Sequence, residues 1–258
     1  MNHHGCIFAL ETKFIAMNDN KSGQRILHIP LRTIDWTEGE HVWFDAKMTP
    51  DSSITVHWGD GKHSTLKPYN DGWARVEHYY AYKDQQYLIE FISETPECLI
   101  ELVDGTWETD VEAVYIDNCP SLQLLQYHNV PRFDFSGCPN LEALDAESYY
   151  GSSIDLSGLT KLSRLRLYSA NKIKSVDLTK NKELELLDIS FSCLLKKVAI
   201  SNNSKLKHLS MKFTELDPHS VKWLNKALEV NDGEIDDTIF DSRLSTGILR
   251  DESEKTNI

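Results

Sequence analysis

The chain has 258 residues, 26% of them charged and 40% hydrophobic, with a formal net charge of −13. That length buries one large core or two modest ones, and no run approaches the eighteen or so apolar residues of a membrane span. The acidity disfavours nucleic acid and acidic membrane surfaces and favours basic partners, although it also serves plain solubility. It is unevenly placed: −9 on residues 1–110, zero on 111–217 and −4 on 218–258. The five cysteines (Cys6, Cys98, Cys119, Cys138, Cys193) are scattered without a C-x-x-C, so neither a disulfide framework nor a zinc site is indicated. The first residues, "MNHHGCIFALETKF", lack a basic flank followed by a long apolar core, so no secretory signal is read. A cytoplasmic location is expected, or the cell surface if the true N terminus is missing.

Residues 10–104 read as β. "QRILHIPL", "HVWFDAKM", "SSITVHWGDG", "VEHYYAYK", "QYLIEFISE" and "CLIELVDG" alternate or cluster apolar and β-branched residues between turn signals. A small two-sheet packing over about residues 10–105 is the natural outcome. Within it, Trp58-Gly59-Asp60-Gly61 is read as a tight hairpin. The glycines supply positive φ, Asp60 bonds nearby backbone N–H groups, and Trp58 packs in or beside the core. A phosphate loop would need Lys-Ser/Thr opening a helix, and a calcium loop with Gly61 at its sixth place would begin at Val56 rather than an acid. A metal site from His57, His63 and His78 across adjacent strands is the remaining rival.

Further along, a repeat appears. "FDFSGCPNLEALDAE", "IDLSGLTKLSRLRLY", "VDLTKNKELELLDIS" and "VAISNNSKLKHLSMK" begin at 133, 154, 176 and 198, and a degenerate copy, "VYIDNCPSLQLLQYH", begins at 114. Leucines recur at 122, 141, 162, 184 and 206 and again three residues on, at 125, 144, 165, 187 and 209. Two residues later stand Tyr127, Ala146, Leu167, Ile189 and Met211. One such copy cannot bury its own apolar side, so the copies are expected to stack into a five-turn solenoid with one continuous core.

The L-x-x-L-x-L spacing resembles the leucine-rich repeat family, which often places Asn or Cys shortly after the strand. Asn171 and Cys193 match that column, while Tyr150 and Glu215 do not. "ITVHWGDG", with His78, Tyr80 and Tyr87 in the closing strands, resembles the PKD-like Ig-type domain. The order of the two resembles a group of bacterial leucine-rich repeat proteins, over roughly residues 40–240. The resemblance implies a mixed, mostly β protein: an Ig/PKD-like β-sandwich (1–110), a leucine-rich repeat solenoid (111–217), and a C-terminal cap and acidic tail (218–258). In the last part, Asp217 as N-cap and Pro218 in the first turn open a predicted capping helix over 218–230, with Val221, Leu224 and Leu228 on one face. "GEIDDTIFD" is then expected to supply one more strand, and 244–258 read as a loose tail. The linker "LVDGTWETD" is too short and mixed for a flexible tether.

No G-x-S-x-G, H-E-x-x-H or Rossmann glycine pattern is present, and "NDGEIDD" does not fit a calcium loop. No catalytic residues, metal or cofactor are expected, and the protein is not read as an enzyme. In a leucine-rich solenoid the residues between the inward leucines face outward on the concave side. This gives the rows Leu124/Gln126/His128, Ala143/Asp145/Glu147, Arg164/Arg166/Tyr168, Leu186/Asp188/Ser190 and His208/Ser210/Lys212. From these rows the candidate binding surface is Gln126, His128, Asp145, Glu147, Arg164, Arg166, Tyr168, Asp188, Ser190, His208 and Lys212. Arg and Tyr are types enriched at interface hot spots. The alternative is a solvated face on which Asp145 and Glu147 simply neutralise Arg164 and Arg166 across strands. The function expected is non-enzymatic protein binding through the concave face, with a basic protein such as a toxin as the sharper target, which this chain would antagonise. A cell-surface adhesin or glycan-binding protein is the alternative. The chain alone is expected to be a monomer.

Overall fold

A computed structural model describes residues 23–34, 40–105, 110–201 and 205–235. The expectations for residues 10–22, Cys6, part of the 102–110 linker and the chain beyond residue 235 lie outside it. In chain order the strands are β1 (Gln24–Arg32), β2 (Glu40–Met48), β3 (Ile54–His57), β4 (His63–Leu66), β5 (Trp73–Tyr80), β6 (Gln86–Ser93) and β7 (Leu99–Asp104). They continue as β8 (Asp110–Val111), β9 (Val114–Ile116), β10 (Leu124–Gln126), β11 (Phe133–Asp134), β12 (Ala143–Asp145), β13 (Arg164–Arg166) and β14 (Ser175–Leu178). Next come β15 (Leu186–Asp188), β16 (Lys197–Ile200), β17 (His208–Ser210), the helix α1 (Pro218–Val230) and β18 (Glu234–Ile235). The protein is mostly β and carries a β-solenoid of about six turns.

Two large sheets organise the chain. One runs β11-β9-β1-β6-β3-β4, with β8 also paired to β1; the other runs β18-β17-β15-β13-β12-β10-β7-β2-β5. In the second sheet β5, β2 and β7 pair antiparallel, and from β7 onward every pairing is parallel. The long sheet therefore passes without a break through the boundary expected near residue 110. On the other sheet β9 and β11 pair with the early strand β1 and with each other. Strands of the first hundred residues thus cover the apolar end of the solenoid, as a terminal repeat must be covered.

The repeat register is explicit. Leu125, Leu144, Leu165, Leu187 and Leu209 stand side by side in successive strands. They and the leucines three residues before each are 0% exposed. Two positions after each third apolar residue the backbone turns left-handed: Asn129, Ser148, Ser169, Phe191 and Phe213 have φ between 51° and 62°. On the opposite wall Asp134, Asp155 and Asp177 each accept the N–H two residues on, at 2.9–3.0 Å, which closes the turn before the next leucine pair. The Asn171/Cys193 column satisfies little of the turn backbone: Cys193 Sγ lies 3.5 Å from Phe191 O within its own turn. Both residues are exposed, whereas buried Asn181 donates to Leu156 O and Leu159 O at 2.9 and 2.8 Å. Ser192 likewise donates to Leu167 O and accepts from Ala170 N. Helix α1 occupies the predicted span; Asp217 accepts the Ser220 N–H at 2.7 Å, and Leu224 and Leu228 are buried.

The Trp-Gly-Asp-Gly segment is a hairpin turn between β3 and β4. Gly59 and Gly61 have φ of +82° and +90°, and the Asp60 carboxylate accepts the Lys62 N–H at 3.0 Å. Trp58 is fully buried, donates to Ser64 Oγ at 3.0 Å and lies 6.4 Å from Phe44, whose ring meets Phe91 of the facing sheet at 5.3 Å. The rival metal reading fails on geometry. His57 and His63 oppose each other across the hairpin, but His78 turns away to stack on Trp58 and bond Asp60 Oδ2 at 2.9 Å. β4 itself carries little strand signal, since "HSTL" has one apolar residue in four, and only the hairpin turn before it announces a second strand.

Candidate functional site

The face of the long sheet opposite the leucine core collects the predicted site residues, since alternate strand positions point to opposite faces. The structure brings Arg166 into the centre of that face. Its Nη1 lies 3.3 Å from Asp145 Oδ2 and 3.0 Å from Glu147 Oε2 on the preceding coil, and its Nε lies 3.6 Å from Asp188 Oδ2 on the next. The guanidinium also covers the Tyr168 ring at 4.7 Å. Burial works against its charge, but Asp145, Glu147 and Asp188 outweigh that and raise its pKa.

The expectation that these residues stand exposed is corrected. Asp145, Asp188, Ser190 and His128 are each under 5% exposed, and Gln126, Glu147, Arg164, Arg166, Tyr168 and His208 are half-buried. Of the eleven candidates Lys212 alone is exposed. Adjacent strands lie less than 5 Å apart, so one long arginine reaches both neighbouring coils and roofs the short aspartates. Leu124 and Ala143, with Val103, form a small apolar cluster on this same face, separate from the main core.

Burial drives the local electrostatics. It pushes the Asp145 carboxyl up to about 6 despite the pull of Arg166, and Asp145 Oδ1 has no hydrogen-bond partner among the described residues. It also lowers the pKa of His128, against the opposing pull of Glu147, whose Oε2 is 4.0 Å from His128 Nε2. Gln126 Nε2 is 3.4 Å from the same nitrogen. Asp188 Oδ1 accepts the Ser190 N–H, and Ser190 Oγ lies 2.8 Å from Ser210 Oγ. His208 Nδ1 is 3.8 Å from Glu234. Three carboxylates around one guanidinium leave the centre of the face acidic.

Two features of this face escaped the sequence reading. The first is its extension beyond the repeats. Outward residues of β7, β2 and β5 continue it: Lys47 pairs Glu101 at 3.1 Å, and Arg75 makes two bonds to Asp45 at 2.6 and 2.7 Å while lying over Trp43 at 4.3 Å. The alternation in "HVWFDAKM" and "WARVEHYY" was the signal, because it gives each strand a polar face as well as a core face. The second is an aromatic line at the C-terminal ends of the strands. Tyr168 meets Phe191 at 5.0 Å and Phe191 meets Phe213 at 4.8 Å. Phe213 is 69% exposed.

Among the described residues no group of His, Cys, Asp and Glu could hold a metal ion, and no helix is long and apolar enough to cross a membrane. No family model matches the chain, and no curated protein matches it.

Proposed function

We propose that this protein is a non-enzymatic binding module that holds another protein against the outer face of its long sheet, on the aromatic line beside Arg166. On the same reading the solenoid is of the leucine-rich repeat type and the N-terminal strands form a PKD-like sandwich; the leucine columns and the Trp58–Asp60–His78 hairpin support those assignments. The observation that carries the functional proposal is the backbone of Phe191 and Phe213. Both sit in the left-handed region, where Gly or Asn is cheaper and a bulky residue is strained. Folding has no need of an aromatic ring that is 69% exposed at such a position. Aromatic rings next to an arginine and a buried acidic cluster are the composition of an interface hot spot.

The rings stand tilted to one another by 48° and 35° rather than in one plane, so they form no flat platform for a sugar ring, which favours a protein over a glycan. The acid excess around Arg166 and the chain's charge of −13 favour a basic partner. The test is a side-by-side capture from the native cell with wild type, Phe213→Ser and Tyr168→Ser, at low and high salt. A basic protein held by wild type and lost from both variants supports the proposal. A partner held equally by all three places the interface elsewhere.

A further inference from the structure

A different surface carries a second interaction. β5 closes one end of the nine-stranded sheet: β2 pairs with it on one side, and among the described residues no strand pairs with it on the other. The direction of its backbone follows from one bond. Met48 N donates to Gly72 O at 2.8 Å, and this pair continues the register in which Lys47 opposes Trp73. The even-numbered residues of β5 therefore turn their N–H and C=O toward β2, and the odd-numbered ones turn theirs to the open side. At Trp73 these groups are already used, the N–H by Asp71 Oδ1 at 3.1 Å and the C=O by Tyr69 N at 2.8 Å. From Arg75 to Tyr79 the outward edge is presented for pairing.

Side chains along the strand alternate strictly. Ala74, Val76, His78 and Tyr80 are buried, while Arg75, Glu77 and Tyr79 are exposed. Such an edge is a template for another strand, and its complement is set by what stands opposite. Two copies of "WARVEHYY" laid antiparallel about a twofold axis through Val76 put Arg75 of one chain against the partner's Glu77, and Glu77 against the partner's Arg75. In that register outward residues meet outward residues, as a continuous sheet requires. The pairs also fall on residues whose backbone groups point outward, so each exchanges two hydrogen bonds. Trp73 meets the partner's Tyr79 on the same face. Opposite charges directly across an antiparallel pair stabilise it, and the arrangement is isologous, the commonest closed symmetry.

We propose that the chain forms a twofold dimer by antiparallel pairing of β5 with β5, which joins the two long sheets edge to edge. Both charges are ordered on the edge strand, each engaged within its own chain by residues of β2. Arg75 is fixed by Asp45 and Trp43, and the Glu77 carboxylate lies 3.3 Å from His41 Nε2, whose ring stacks on Tyr79 at 4.2 Å. The interface is short, so a dimer that dissociates on dilution is expected rather than a permanent one.

The measurement is sedimentation equilibrium of the full chain over a concentration series at moderate salt. Wild type should move from the mass of one chain toward that of two. Glu77→Pro removes one outward N–H and its charge at an edge position that tolerates proline, and it should stay at the mass of one chain with an unchanged β-sheet circular dichroism spectrum. Glu77→Arg and Arg75→Glu should each be monomeric alone, yet associate when mixed, since both opposed pairs are then complementary. A wild type of single-chain mass at every concentration overturns the proposal. So does a dimer that survives Glu77→Pro, because the contact must then lie elsewhere, or a folded pair of charge variants that fails to associate on mixing.

Discussion

Arg166 and Asp145, on adjacent coils, hold each other with Nη1 and Oδ2 3.3 Å apart, and the carboxylate is all but sealed from solvent. A pair of this kind is not a free recognition element. Removing the arginine leaves Asp145 and Asp188 buried without their counter-charge, which costs far more than the pair itself contributes. Arg166→Ala should therefore destabilise the fold by roughly 2–4 kcal/mol, somewhat below a fully buried pair because the guanidinium keeps some solvent contact. Tyr168→Ala, at the half-buried edge of the cluster, should cost about 1 kcal/mol. Urea unfolding of the two variants separates them. Equal, small losses would show that the carboxylates do not depend on Arg166. Binding studies accordingly belong on Tyr168 and Phe213 rather than on an alanine change at Arg166.

The core prediction rests on register. Leu165 and Leu187 oppose each other in β13 and β15, and both are fully buried. Leu165→Ala or Leu187→Ala should each cost about 2–5 kcal/mol through lost transfer energy and the cavity left behind. The double variant should fall short of additivity, since the two cavities are in contact. Chemical denaturation of the single and double variants checks both statements. A cost below about 1 kcal/mol at both sites would contradict the observed burial.

Two glycines in one turn give a controlled comparison. A Cβ on Gly59 would lie 2.7 Å from Leu88 N and 2.8 Å from Leu88 O, whereas a Cβ on Gly61 would meet nothing within 4 Å. Both have positive φ, so each alanine carries the left-handed penalty of about 1–2 kcal/mol. Gly59→Ala adds a backbone clash that β6 cannot relieve without moving. Thermal melts should show a small loss for Gly61→Ala and a loss at least about twice as large for Gly59→Ala. Similar losses would mean that the turn, not its packing on Leu88, sets the need for glycine.

The contrast between what could and could not be read from the residues has physical causes. Leucines at fixed spacing and Asp217-Pro218 before an amphipathic stretch are local signals, so the solenoid register and α1 were legible. The Trp58 hairpin was legible for the same reason: its glycines and Asp60 act within a few residues of each other. Which residues share the outer face of the long sheet was legible, but not how exposed they stand. Whether Asp145 is open or sealed depends on the reach of Arg166 from the next coil, which no window of one repeat contains. The left-handed column went unread because Phe191 and Phe213 occupy places where the usual rule looks for Gly or Asn. The continuation onto β2 and β5 went unread because it follows from β7 pairing with β10, a contact between parts that the sequence presents as separate.

Asp145 also makes stability depend on pH in an unusual direction. Burial lifts its folded pKa to about 6 from an ordinary 3.8, so between those values the folded chain holds a proton that the unfolded chain has released. Stability then falls as pH rises through that window, the reverse of a carboxylate whose pKa is depressed by a salt bridge. Below the unfolded value the neutral acid carries no penalty, and above about 6 the penalty is complete, on the order of 3 kcal/mol for a shift of this size. His128 contributes with the opposite sign, since its folded pKa is lowered, and a wild-type profile alone mixes the two. Asp145→Asn keeps the shape and removes the titration. The difference in unfolding free energy between wild type and Asp145→Asn, measured from pH 4 to 7, should shift steadily toward the variant as pH rises and level off above about 6. A difference that stays flat across the window would mean that Arg166 holds Asp145 ionised throughout, and the central cluster would then carry one negative charge more than its burial favours.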